Sequence, residues 1–262
     1  MASTLPIRLR EATPLLCGIG LLLASLGAAH ATVISGSSSA YAESIDLTLT
    51  TILGSTTLTS GPLPTASGTA PPPYSVANSV ASLSLGTPAF SITAGILNAA
   101  AASDVNGLPG PRTTSASASV ADFAISVLSV PVLTATLISS TAQVSGDFGS
   151  LMPSGSAAIT GLTVLGVPVT VGTAPNTVLF DALGLTIVSN AQTVTADSIM
   201  VDSLDITFDD VGVDGLASLS GSIVLSHSQA QETAVPNAVP EPISVALLCT
   251  GLLGLGVVRR RG

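Results

Sequence analysis

Six aspartates crowd one stretch near the end of the chain. Asp197, Asp202, Asp205, Asp209, Asp210 and Asp214 fall within eighteen residues. Carboxylates at that density suit a hard cation such as calcium, which takes oxygen ligands. The run Asp210-Val211-Gly212-Val213-Asp214-Gly215 echoes the start of a calcium-binding EF-hand loop. Asp209, Asp210 and Asp214 are therefore the candidate metal ligands. The loop lacks a ligand at its third position, and Gly221 stands where the closing glutamate belongs. The competing reading is that these acids face solvent, keep a hydrophobic strand soluble and blunt its edge.

Other chemistries find fewer residues. A Ser-His-Asp triad needs a histidine base. His227, in Leu225-Ser226-His227-Ser228-Gln229, is the one histidine outside the N-terminal leader described below, and it reads as an exposed residue on the last strand. No Gly-x-Ser-x-Gly elbow is present, and a chain without lysine cannot form a Ser-Lys dyad. Zinc sites need several His or Cys ligands, and neither residue is present in number. Two carboxylates would serve a glycosidase. Sugar sites usually add aromatic platforms, and the chain has no Trp and only Tyr41 and Tyr74. Phosphate loops and dinucleotide fingerprints are absent. The sequence predicts no catalytic residue and no cofactor, calcium excepted.

The elements that must carry these residues are strands. Ile45, Leu47 and Leu49 alternate with Asp46 and Thr48, and Leu204, Ile206 and Phe208 alternate with Asp205, Thr207 and Asp209. Period two with one apolar face is a half-buried strand. Asn176 to Phe180 and Leu185 to Ser189 read as a strand pair around Ala182-Leu183-Gly184. Leu162-Thr163-Val164 and Val167 to Val171 read as another around Leu165-Gly166. Gly61 to Pro73 holds five prolines and reads as a loop, and Asn106 to Pro111 as a second breaker. Alanine favours a short helical turn over Leu97 to Ala102. Ser79-Val80-Ala81-Ser82-Leu83-Ser84-Leu85 is echoed forty residues later by Ser119-Val120-Ala121-Asp122-Phe123-Ala124-Ile125. The predicted fold is all-β, either a β-sandwich or a short solenoid-like stack of sheets.

Both ends carry address signals. Arg8 and Arg10 precede the apolar stretch Leu15 to Ala28, and Ala29-His30-Ala31 has the small-x-small pattern of a signal-peptidase site. A signal peptide is therefore expected over 1–31. At the other end, Val239-Pro240-Glu241-Pro242 leads into the apolar run Ile243 to Val258, closed by Arg259, Arg260, Arg261 and Gly262. Sixteen residues at about 1.5 Å each span roughly 24 Å, short of a bilayer core of about 30 Å but able to insert with thinning. The arginines hold the C-terminus in the cytoplasm, so what precedes Pro240 lies across the inner membrane. Pro240 and Pro242 keep the entry extended. The expected layout is a signal peptide over 1–31, an exported all-β domain over 32–236 and a sorting signal over 237–262.

Trimming both ends removes Cys17 and Cys249, so no thiol, disulfide or cysteine metal site remains. Removing Glu11 and Glu241 from the fifteen acids, and Arg8, Arg10 and the three tail arginines from the six bases, leaves thirteen acids against Arg112. The net charge is about −12. Such a surface repels nucleic acid and anionic lipid.

The C-terminal motif, span and basic tip resemble the PEP-CTERM signal of Gram-negative bacteria. That resemblance implies processing by an exosortase and delivery to the cell surface, outer envelope or an exopolysaccharide matrix. The segments Ser115 to Val127, Ser156 to Val169 and Ala174-Pro175-Asn176-Thr177 resemble the choice-of-anchor P family, exported β-rich bodies that carry different C-terminal anchors. The resemblance covers most of Ala40 to Gln229 and implies no activity, substrate or catalytic residue. The expected function is that of a structural protein of the cell surface or matrix. The expected partners are signal peptidase and exosortase during export, with exopolysaccharide after it. The alternative is a surface module that binds calcium or polysaccharide near Asp197 to Asp214.

Overall fold

The computed structural model describes residues 32–87, 90–213 and 217–236. The signal-peptide expectation with Ala29 and Ala31, the sorting residues Pro240, Glu241, Pro242, Arg259, Arg260 and Arg261, the membrane run 243–258 and Asp214 all lie outside the described residues. Among the described residues no helix is long and apolar enough to cross a membrane.

The fold is all-β, as the alternation predicts. Fifteen strands follow in order: β1 (Thr32–Thr51), β2 (Gly54–Ala70), β3 (Tyr74–Val80), β4 (Leu83–Gly86), β5 (Phe90–Ala94), β6 (Leu97–Ser103), β7 (Arg112–Val127), β8 (Val130–Gly146), β9 (Met152–Thr160), β10 (Thr163–Val164), β11 (Val167–Pro168), β12 (Thr177–Ala182), β13 (Leu185–Val194), β14 (Ser198–Val213) and β15 (Ala217–Val235). They make two open antiparallel sheets packed face to face, a sandwich rather than a solenoid. The first sheet has the order β12-β13-β14-β15-β1-β2. The second is a meander in which β3 with β4, β5 with β6, and β9 with β10 act as interrupted long strands flanking β7 and β8. β1, β14 and β15 lie over β6, β7, β8 and β9.

Chain order explains the topology. The β1–β2 hairpin starts the first sheet, and Pro71-Pro72-Pro73 carries the chain to the second. After β11 the chain returns and lays down β12 to β15, and β15 closes against β1. Thr32 pairs with Val235 at one end of that seam and Thr51 with Ala217 at the other. Both chain ends of the body thus leave from the same end of the sandwich. The hairpin turns β1–β2, β7–β8, β10–β11 and β12–β13 lie at the opposite end.

Six strands run 16 to 20 residues and far exceed the usual five or six. Twist accumulates over that length, and bulges relieve it. Here the inward face switches parity midway. On β7, Ala116, Ala118 and Val120 are buried, then Phe123 and Ile125; on β15, Ile223 and Leu225, then Ser226, Ser228 and Ala230. β1 switches between Ala42 and Ile45, and β14 between Ser203 and Leu204. Left-handed residues mark the switches, with φ of 49° at Asp122, 51° at Asn190 and 59° at Ser226. This waist divides the interior. Toward the hairpin turns lies one large core of Ile, Leu, Val and Phe; toward the chain ends lie smaller clusters of Ala and Val with buried hydroxyls.

Two local expectations are corrected. Leu97 to Ala102 is strand β6, not a helical turn. Leu97, Ala99 and Ala101 are its buried face, and pairing on both sides outweighs alanine's helix preference. Most of Gly61 to Pro73 is strand β2. It lies at the edge of its sheet, where Pro62 and Pro64 need donate no ladder bond. The echoed segments prove equivalent in space. Ser79 and Ser119 both pair with Asn98, Val80 and Val120 with Leu97, and Leu85 and Ile125 with Ile92.

Backbone approach sets one sharp test. Gly221 in β15 has φ of 125°, and an added Cβ would overlap the Asp46 carbonyl oxygen of β1. Gly221→Val is expected to lose at least about 2 kcal/mol in urea unfolding. Gly172→Ala, where an added Cβ meets open space, is expected to stay within about 0.5 kcal/mol. Equal losses at the two positions would refute the close seam between β1 and β15.

Candidate functional site

Among the described residues, the aspartates of the run do not gather into one site. Ser198 to Val213 is a single strand, so its acids are spread along β14. Asp197 precedes it at the chain-end side, where Thr195 Oγ1 donates to its Oδ1 at 2.7 Å. Asp202 and Asp205 sit at the waist. Asp209 and Asp210 sit near the hairpin-turn end, both exposed. Asp210 has φ of 55°, and its backbone N–H donates to Ser220 Oγ at 3.2 Å. Among the described residues no three His, Cys, Asp or Glu side chains converge as a metal group.

His227 is not the exposed residue the sequence suggests. It is 8% exposed, and its Nδ1 lies 2.6 Å from Asp202 Oδ1. The Tyr41 ring stacks on it with centroids 4.4 Å apart and planes 10° apart. Register makes the trio: Tyr41 pairs with His227 across β1 and β15, and Asp202 with His227 across β14 and β15. Ser226 and Ser228 on either side of His227 reach Ser140 in the second sheet. The trio therefore lies on the face turned away from that sheet. Burial, with Asp202 and Asp205 beside it, pushes the Tyr41 phenol up to about 12. Burial first and Asp202 second raise the Asp205 carboxyl. A His-Asp pair is the orienting half of a triad. Among the described residues no hydroxyl hydrogen-bonds to the other ring nitrogen. The trio clasps three central strands at the waist.

Two glutamates that sequence reading passed over are fully buried. Glu43 accepts from Ser60 Oγ at 2.8 Å, and Glu232 accepts from Thr114 Oγ1 at 2.9 Å. Thr114 also bonds Ser103 Oγ at 2.9 Å. Gly36 makes room for that pair, because an added Cβ would overlap Thr114 Oγ1. Each glutamate leaves its Oε2 without a partner. Burial raises both carboxyls. For Glu232 it outweighs the Thr114 hydrogen bond and, with Asp104 adding to it, brings the group to about 7. No sequence pattern marks these two residues: Glu232 meets Thr114 from the second sheet, and Glu43 meets Ser60 only through the β1–β2 pairing.

The second feature missed is a cavity of about 280 Å³ between the sheets at the hairpin-turn end. Phe90, Ile125 and Leu133 from one sheet and Ile187, Ile206 and Phe208 from the other line its depth. Leu165 and Leu183, at turns, stand at its mouth.

Residues 238–261 match the PEP-CTERM protein-sorting motif. The motif begins three residues after β15 ends. It marks an exported chain that an exosortase processes, bound for the cell envelope or surface of a Gram-negative bacterium. No curated protein matches the chain. Among solved structures, neisserial surface protein A (NspA) is similar over 76% of this chain and 96% of that one, at 14% identity and a TM-score of 0.12. That score is too low for the likeness to carry any conclusion about the fold.

Glu232 yields a pH prediction. Its folded value lies above the ordinary 4.5, so folding favours the protonated form. The stability it supports is full below about 4.5 and is lost as pH rises through about 7, at most about 3 kcal/mol. Glu43 shifts in the same direction. Glu232→Gln is expected to raise the melting temperature above neutral pH and to flatten much of the decline. An unchanged decline in the variant would place the titration elsewhere.

Proposed function

We propose that the processed body is a structural protein of the cell surface or exopolysaccharide matrix, working without catalysis or a cofactor. The sorting motif at residues 238–261 carries this reading. The body supports it: two long-stranded sheets of Ser, Thr, Val and Ala closed by pairing of first and last strands make a rigid unit with one attachable end. The resemblance of Ser115 to Val127 and Ser156 to Val169 to the choice-of-anchor P family agrees, since those bodies are carried on interchangeable anchors. The cation-binding alternative gains no support from the spread of aspartates along β14. Signal peptidase acting after Ala31 would free the first residue of β1. Exosortase would act beyond β15, leaving every paired strand intact.

Intact mass of the protein recovered from the matrix fraction tests this. The expected mass runs from Thr32 to a residue near Pro240, and deleting the exosortase leaves the C-terminus uncut in the membrane. A C-terminus through Gly262 in the membrane fraction of exosortase-competent cells would make the tail a permanent anchor. Processed protein free in the culture fluid, with none in the matrix, would remove the structural role.

A further inference from the structure

The cavity at the hairpin-turn end has chemistry that the structural role does not use. Among the described residues, all seventeen that line it are Phe, Leu, Ile, Val, Ala or Gly. Its floor is the centre of the large core, where Ile187 and Ile206 are fully buried and Ile125 is 1% exposed. Its mouth is open. Leu165 is 69% exposed and Leu183 89% exposed, both on turns with left-handed backbones. Interiors of folded proteins are packed to crystal density with few voids larger than a water molecule. A continuous apolar passage from core to solvent, edged with bare leucines, departs from that rule.

We propose that this cavity binds the alkyl chain of an uncharged or zwitterionic amphiphile. Lining sets the class: with no polar side chain among the described residues of the wall, a polar ligand would lose its water without replacement. Size sets the length. An engineered apolar cavity of about 150 Å³ stays dry and takes up benzene, so about 280 Å³ holds roughly a dozen carbons. Charge sets the head group. Asp181, Asp209 and Asp210 lie on β12 and β14 near this end, and the one basic residue among the described residues, Arg112, starts β7 at the other. An anionic head would meet only like charge. Leu128 on the β7–β8 turn and Val130 at the start of β8, close in sequence to the lining residues Val127 and Val132, are also exposed, which gives the chain an apolar approach. The site lies at the end opposite Thr32 and Val235, so processing at either terminus leaves it open.

The test uses the processed protein recovered from cells. The neutral fluorophore N-phenyl-1-naphthylamine is bound and then displaced by straight 1-alkanols from hexanol to hexadecanol. Affinity is expected to rise about fourfold per methylene and to level off near a dozen carbons. Dodecanoate is expected to bind at least tenfold more weakly than dodecanol. Val132→Phe, and separately Val164→Phe, fill the passage and are expected to abolish displacement while circular dichroism and melting stay close to wild type. If both variants unfold, the chain-length plateau decides alone. The proposal is overturned by fluorophore binding that does not saturate, by affinity that climbs without a plateau, or by folded filled variants that bind as wild type. Dodecanoate binding as well as dodecanol would overturn the head-group assignment. Sedimentation with phosphatidylcholine vesicles that the filled variants retain would assign the exposed turns to a bilayer instead.

Discussion

The first and last strands of the body hydrogen-bond to each other along nearly their whole length, and the rest of the sandwich depends on that seam. β15 is one of the two central strands of its sheet, and β1 lies beside it, inside the edge strand β2. Neither has a partner on that side until residues some 200 positions away in the sequence arrive. Closing so long a loop costs entropy before any contact offsets it, and such topologies fold slowly. A chain exported unfolded therefore cannot complete this sheet before its C-terminal residues cross. The sorting motif starts only three residues beyond the seam. Completion of the fold and arrival of the processing signal are coupled by chain length alone.

The waist is the second constraint, and it follows from the first. Strands long enough to make such a seam must absorb their own twist. Asp122, Asn190 and Ser226 take left-handed conformations that cost energy in non-glycine residues. Neighbours that bridge the sheets hold them there. Ser226 Oγ donates to the Ala118 carbonyl at 2.9 Å, Ser203 Oγ to the Ser139 carbonyl at 2.6 Å, and Ser140 bonds Ser228 at 2.6 Å. The Tyr41–His227–Asp202 clasp covers the same level from outside. A seam without that belt would slip by one residue and turn its apolar set outward.

Alternation at Ile45, Leu47 and Leu49 and at Leu204, Ile206 and Phe208 made the strands legible, because each has one wet face. The hairpin at Ala182-Leu183-Gly184 was legible from its turn residues. Leu97 to Ala102 was not. A run of alanines has no alternation to read, and its face is assigned by Val76 and Ala116 on the neighbouring strands. Pro62 and Pro64 read as breakers because an edge position is a property of the sheet and not of the segment. The site residues divide the same way. The sorting motif is contiguous and could be read directly. Asp202 and His227 stand 25 residues apart and meet only through the β14–β15 register. Glu232 and the cavity wall draw on both sheets, so no local window contains them.

The parity switch also sorts chemistry along the long axis. β1 alone spans twenty residues, about 65 Å at the usual rise per residue. At one end lie the chain termini, the buried hydroxyls and Glu232; at the other lie the large core and the exposed Ile52, Leu53, Leu165 and Leu183. A body with thirteen acids and one base relies on its charge and hydroxyls for solubility, and scattered apolar side chains would suit it well enough. The barest of them, Leu53 at 95% and Leu183 at 89%, lie at the hairpin-turn end, while Phe148, Met152 and Leu108 are exposed toward the other. Side chains as bare as Leu53 and Leu183 leave apolar area unburied where the strands turn.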